Sequence, residues 1–144
     1  MQKNYLSNYK HNDCFDVCDI EAVKSNCNKR KVGAYLEVKV NGIVRATISG
    51  CNYHDLSPCT CVAGKQDPFV IHAEQVVLQG FKEIRYRPIN HELILYVTYE
   101  PCLKCAKTIV KKGVRKVYYR DSSRLHDGLN YLLSEKIEVI QCKN

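Results

Sequence analysis

At 144 residues the chain has the length of one domain, 1–144, able to bury about two-thirds of its unfolded surface. Its apolar (45%) and charged (26%) fractions exclude wholesale disorder, and its formal charge of +7 suits an anionic partner, either a free nucleotide or a nucleic acid. No run approaches the ~18 consecutive apolar residues of a membrane span, and Met1-Gln2-Lys3-Asn4-Tyr5 lacks the apolar segment of a secretory leader.

A cytoplasmic location follows as the expectation (the host cytoplasm, for a viral chain), where thiols stay reduced. Nine cysteines, an odd number, then point to metal ligation and core burial rather than to disulfides.

Residues 1–12 are polar and are expected to be irregular and flexible. From Asp13 to about Asn26 the apolar positions fit an amphipathic helix that places Cys14 and Cys18 on one face, as core residues. Two strands, Val32 to Val40 and Ile43 to Ser49, flank Asn41-Gly42, a strong two-residue hairpin signal. The segment Cys51 to Asp67 reads as a loop dense in Cys, Pro, Gly and His.

A second helix is expected from about Ile71 to Lys82. Leu93 to Thr98 reads as a buried strand. Pro101 is expected to open a helix running to about Lys112, with Gly113 as its C-terminal cap. Val114 to Tyr119 (strand), Asp127 to Ser134 (helix) and Ile137 to Gln141 (strand) complete the order αββαβαβαβ. That order implies parallel pairing late in the chain after an initial hairpin.

Two short motifs stand at the starts of two expected helices: His72-Ala73-Glu74 and Pro101-Cys102-Leu103-Lys104-Cys105. Helix N-termini leave N–H groups unpaired and favour thiolates, the form that binds metal. Two Cys at i and i+3 can reach one ion, and His72 supplies a third ligand. Three protein ligands leave one tetrahedral position open, the arrangement of a catalytic zinc. Glu74, in the same turn as His72, is the expected proton carrier. The spacing H-x-E … P-C-x-x-C is a known signature of zinc deaminases, so matching it is recognition of a pattern.

The two motifs, Val70 to Gln75 and Tyr96 to Val110, resemble those of deoxycytidylate (dCMP) deaminases in the cytidine deaminase-like superfamily. Lys112 to Tyr118, Ala22 to Cys27 and Lys31 to Ala34 are similar to that family as well. The resemblance implies a three-layer α/β/α fold on a five-stranded mixed sheet. It also implies zinc-dependent hydrolysis of dCMP, or of a 5-modified dCMP, to dUMP and ammonia, feeding thymidylate nucleotide synthesis. Its members imply a homo-oligomer, a hexamer, with dCTP and dTTP as effectors.

By the same match Asn52 and Ala73 are expected at the sugar or base, and Lys24 at the 5′-phosphate. Cys27 and Cys61 correspond to positions that hold an additional zinc in some relatives, with Cys59 and His54 completing a structural site. The sequence departs from the family at Gln75-Val76-Val77-Leu78, at Tyr53 and at Leu125, which puts the substrate in question rather than the zinc chemistry.

Two alternatives stay open. Glu100 before Pro101 resembles the tRNA adenosine deaminase branch, a nucleic-acid enzyme, and a non-catalytic zinc-stabilised binding domain would need no Glu74. The basic series Lys104, Lys107 and Lys111 is spaced as the outer, solvated face of a helix, and the ten tyrosines read as core and sheet packing.

Overall fold

The computed structural model describes residues 2–54, 70–83 and 90–143, with side chains for 11–54, 70–82 and 90–143. Its elements are α1 (Gln2–Val23), β1 (Gly33–Val40), β2 (Ile43–Cys51), β3 (Tyr53–His54), β4 (Val70–Ile71), α2 (Ala73–Glu83), β5 (Glu92–Tyr99), α3 (Leu103–Lys111), β6 (Val114–Asp121), α4 (Asp127–Ser134) and β7 (Glu138–Gln141). No helix among the described residues is long and apolar enough to cross a membrane.

Five strands form one mixed sheet in the order β2-β1-β5-β6-β7. β1 runs antiparallel to β2 and β5, whereas β5–β6 and β6–β7 are parallel. The hairpin turns at Asn41 (φ 53°) and Gly42 (φ 78°), two successive left-handed residues that match the twist of the flanking strands. The late parallel pairs are joined through α3 and α4, as helical crossovers require.

Strand alternation sorts the side chains into two cores. Leu36, Leu95 and Val117 face the side covered by α2, α3 and α4, with Val77, Ile109 and Leu132 packed over them. Tyr96, Ile94 and Tyr118 face the other side, under Cys14, Phe15 and Cys18 of α1. β5 is therefore buried on both faces, which explains its uninterrupted apolar run. The result is the expected three-layer α/β/α arrangement, with the two α1 cysteines in the core.

Three local expectations change. The helix expected from Asp13 begins at Gln2, so the polar N-terminal residues are helical rather than irregular. Its first half is tied down by polar chemistry that hydropathy does not register: His11 Nδ1 lies 2.8 Å from the Tyr96 hydroxyl, and its ring packs 4.4 Å from that of Tyr118.

Val70 and Ile71 pair as a short strand with His54 and Tyr53, which delays α2 to Ala73. Pro101 stands two residues before α3, because Cys102 is extended (φ −74°, ψ 169°) and caps the helix. Gly113, at φ +83°, ends that helix as expected, its N–H donating to the Val110 carbonyl at 3.1 Å.

β5 marks the point where antiparallel pairing gives way to parallel pairing. Its carboxyl end, with that of β6, opens toward the residues singled out by the two motifs. Open α/β sheets place ligands at such a crevice.

Candidate metal centre

His72 and Cys102 occupy equivalent positions at the starts of two helices. The His72 carbonyl accepts the Val76 N–H at 3.1 Å, and the Cys102 carbonyl accepts the Ala106 N–H at 2.8 Å. Gln75 reaches back so that its Oε1 accepts the His72 N–H at 3.4 Å, a brace between the third helical residue and the cap. Gln75 thus helps to orient His72.

His72 Nδ1 lies 3.2 Å from Cys105 Sγ and 3.7 Å from Cys102 Sγ. The three donor atoms fall within 4.8 Å of one another. Cys105 is buried, His72 half-buried and Cys102 exposed.

Hydrogen bonding with Cys105 pulls the Cys102 thiol down to about 4, with His72 helping against the opposing effect of burial. The Cys105 thiol is pushed up by its bond to Cys102, then by burial and the nearby Glu74. The His72 ring is raised, chiefly through its contact with Cys102. A sulfur already inclined to lose its proton, a second sulfur sharing its charge and an imidazole form a donor set that fits zinc.

Glu74 lies in the first turn of α2 and is 4% exposed. Burial raises its carboxyl above the usual range, and His72 partly draws it back. Such a group exchanges a proton with a neighbour more readily near neutral pH than a surface glutamate does.

A cavity of about 830 Å³ stands over this cluster. Its buried and half-buried lining includes Ala73, Glu74, Asn52, Val32, Tyr99 and Glu100. Three of its exposed lining residues are cationic: Lys29, Arg30 and Arg124. The Arg30 guanidinium lies 3.8 Å from the centre of the Tyr99 ring, a cation–π contact.

A zinc site beneath such a cavity suits several hydrolases, and comparison with known proteins narrows it. The profile of the cytidine and deoxycytidylate deaminase zinc-binding region matches residues 9–121. The chain belongs to this deaminase family.

Among solved structures, the dCMP deaminase of cyanophage S-TIM5 in complex with dCMP and dUMP is 31% identical with a TM-score of 0.72, covering 96% of this chain and 97% of that one. The deoxycytidylate deaminase of Schizosaccharomyces pombe is 29% identical over 130 residues, covering 82% of this chain and 39% of the yeast protein. A probable deoxycytidylate deaminase of Caenorhabditis elegans is 27% identical, covering 89% and 64%. The chain thus spans less than two-thirds of the length of these curated relatives.

Within this deaminase fold, Ala73 and Asn52 line the cavity. Lys24 does not: its ammonium pairs with Glu21 at 3.2 Å, and the cavity's cations are Lys29, Arg30 and Arg124 instead. The Lys29-Arg30-Lys31 run just before β1 was the available signal for two of them. Arg124 had none, since its position depends on how the segment after β6 folds back.

Cys27 is buried and lines the cavity. His54 is buried and is tied to the residue before Cys27: Asn26 Oδ1 accepts the His54 N–H at 2.9 Å, and Asn26 Nδ2 donates to the His54 carbonyl at 3.4 Å. Cys59 and Cys61 lie outside the described residues. The Lys104, Lys107 and Lys111 side chains are exposed along α3, as a solvated face.

Proposed function

We propose that the chain hydrolyses the amino group of a deoxycytidine 5′-monophosphate, dCMP or a 5-substituted dCMP, releasing ammonia and dUMP or its 5-substituted form. The observation that carries this reading is the convergence of His72, Cys102 and Cys105 with the buried Glu74 in a cavity that also carries three cations. The near full-length likeness to the cyanophage enzyme seen with dCMP and dUMP supports the substrate class.

His72, Cys102 and Cys105 would hold the zinc, which when bound lowers the pKa of a water toward ~7 and so supplies a nucleophile at neutral pH. Glu74 accepts a proton from the attacking water and passes it to the ring nitrogen next to the reacting carbon. The water oxygen bonds to the carbon that bears the amine. The carbon–nitrogen bond then breaks, and the second water proton leaves with the amine as ammonia. Glu74 ends in its starting state, so one water enters and one ammonia departs.

Asn52 keeps one amide N–H for the sugar after donating the other to the Arg30 carbonyl. Lys29, Arg30 and Arg124 are suited to the 5′-phosphate, a dianion that a nucleoside lacks.

The same reading includes a single deaminase domain working in the cytoplasm as a homo-oligomer, a hexamer, with dCTP and dTTP as effectors. It also includes a second, structural zinc held by Cys27, Cys59, Cys61 and His54.

Ammonia release from dCMP, dCTP, deoxycytidine and an anticodon stem-loop RNA tests the proposal. Turnover of dCMP that disappears in Glu74→Ala with zinc still bound is the expected result. Turnover of the RNA alone, or of none of the four, would overturn it.

A further inference from the structure

Glu100 is a buried carboxylate that neither the metal cluster nor the proton transfer uses. Its side chain is fully buried, yet it lines the cavity and its charge faces a loop rather than the metal donors. Glu100 Oε1 accepts the Ser123 N–H at 3.3 Å, and His126 Nδ1 lies 2.9 Å from Oε2. Both partners belong to the segment 122–126 that joins β6 to α4, and Arg124 stands between them.

The ends of that segment are fixed to the same stretch of chain. At its start, the Asp121 carbonyl accepts the Glu100 N–H at 2.8 Å. At its far end, Gly128 approaches so closely that a Cβ there would run into the Pro101 carbonyl oxygen and the Cys102 carbonyl carbon. Gln141 secures the outer side, its Nε2 donating to the Arg120 carbonyl at 3.0 Å and to Ser122 Oγ at 2.8 Å. The middle of the loop has one buried anchor, the Glu100 carboxylate. Among the described residues none pairs with the Arg124 guanidinium, which is exposed and lines the cavity.

We propose that Glu100 is a positioning residue for substrate specificity: by clamping Ser123 and His126 it holds Arg124 over the cavity, where the guanidinium recognises the 5′-phosphate of the nucleotide. This rests on the nucleotide reading above and deepens it. A buried carboxylate bonded on both sides of a flexible cation reduces the ordering that binding would otherwise require, so its effect falls on affinity for the phosphate and not on the chemical step. The same residue ties the loop to the turn that carries Cys102, yet it touches no metal donor.

Calorimetric binding of dUMP and of deoxyuridine to the zinc-loaded protein, with steady-state turnover of dCMP, tests the assignment in Glu100→Ala, Glu100→Gln, Arg124→Ala and the double variant Glu100→Ala/Arg124→Ala. Loss of one charge-assisted contact predicts dUMP affinity and dCMP KM worsened about tenfold or more in Glu100→Ala, with kcat and zinc content held. Deoxyuridine affinity should not move. The double variant should be no worse than Arg124→Ala alone, and Glu100→Gln, which still accepts from Ser123, should recover part of the loss. Should Glu100→Ala fail to fold, His126→Ala removes the same clamp from its half-exposed end and should raise KM in the same sense.

Additive losses in the double variant, or deoxyuridine binding weakened as much as dUMP binding, would overturn the assignment while leaving the deaminase reading intact. If the unaltered chain binds deoxyuridine as tightly as dUMP, the nucleotide reading itself fails, and the role of Glu100 with it.

Discussion

Asn52 holds Arg30 through the backbone: its Nδ2 donates to the Arg30 carbonyl at 2.8 Å while its Oδ1 accepts the Val32 N–H at 2.9 Å. The Asn52 N–H also donates to the Val32 carbonyl at 3.1 Å, so one residue fixes the segment leading into β1. Asn52→Ala leaves the part-buried Arg30 carbonyl and Val32 N–H without this partner, which costs about 1 kcal/mol in urea unfolding. Because Arg30 lines the cavity, KM for dCMP should rise more than kcat falls. Asn52→Asp keeps the acceptor for Val32 but turns an oxygen toward the Arg30 carbonyl, so it should not rescue. Unchanged stability in Asn52→Ala would contradict the brace.

Glu74 separates proton transfer from metal binding. Glu74→Gln removes the proton carrier without removing a ligand, so kcat should fall by at least ~10²-fold while zinc content stays the same. Its carboxyl is raised by burial, which has a consequence for the zinc-free protein. A carboxyl whose folded value exceeds its unfolded one stabilises the fold below the unfolded value, and that contribution is lost as pH rises through the folded one. Zinc-free wild type should therefore lose stability relative to Glu74→Gln as pH climbs above the ordinary glutamate range. Parallel stability profiles for the two proteins would refute a buried, raised Glu74.

The metal motif was legible because its residues are close in sequence and their positions at helix starts follow from local rules. His72 and Cys102 do stand at helix starts, although each precedes the first helical residue rather than lying inside the first turn. The hairpin, the buried β5 and the parallel crossovers were legible for the same reason: turn chemistry and hydrophobic period are local. What escaped was non-local or polar. The first half of α1 has no clear apolar period, and its visible anchorage is the contact of His11 with Tyr96 across the layers. Pairing between β3 and β4 involves two residues on each side, too few for a periodic signal. Arg124 and the Glu100–His126 pair meet only after β6 and α4 are in place. Lys24 follows only from the family resemblance, and its ammonium pairs with Glu21.

Cys102 should be the cysteine that reports zinc loss. Its thiol lies near about 4 and it is exposed, whereas burial raises Cys18, Cys51 and Cys142, and the bond to Cys102 raises Cys105. After chelation, iodoacetamide at about pH 6 should alkylate Cys102 ahead of these four, since the thiolate is the reactive form. Restoring zinc should protect it. Mass spectrometry of the digested protein locates the adduct, and first reaction at Cys51 or Cys142 would contradict the lowered value.

The proposed second zinc would draw on the tie between Asn26 and His54, which holds the chain next to Cys27 against β3. Asn26 bonds to both the N–H and the carbonyl of His54, and Cys27 follows directly, its N–H donating to Ser25 Oγ at 3.1 Å. Both candidate ligands are buried, at 2% and 3% exposure, and His54 directly precedes the segment that carries Cys59 and Cys61. A closed four-ligand site there would fix the long connection between β3 and β4. Elemental analysis should then give about two zinc ions per chain, and Cys27→Ser about one, because a structural site needs all four ligands. The ion that remains should be the one whose removal exposes Cys102 to alkylation. A count near one in the unaltered protein would eliminate the structural zinc and leave Cys27 as a buried residue of the cavity lining.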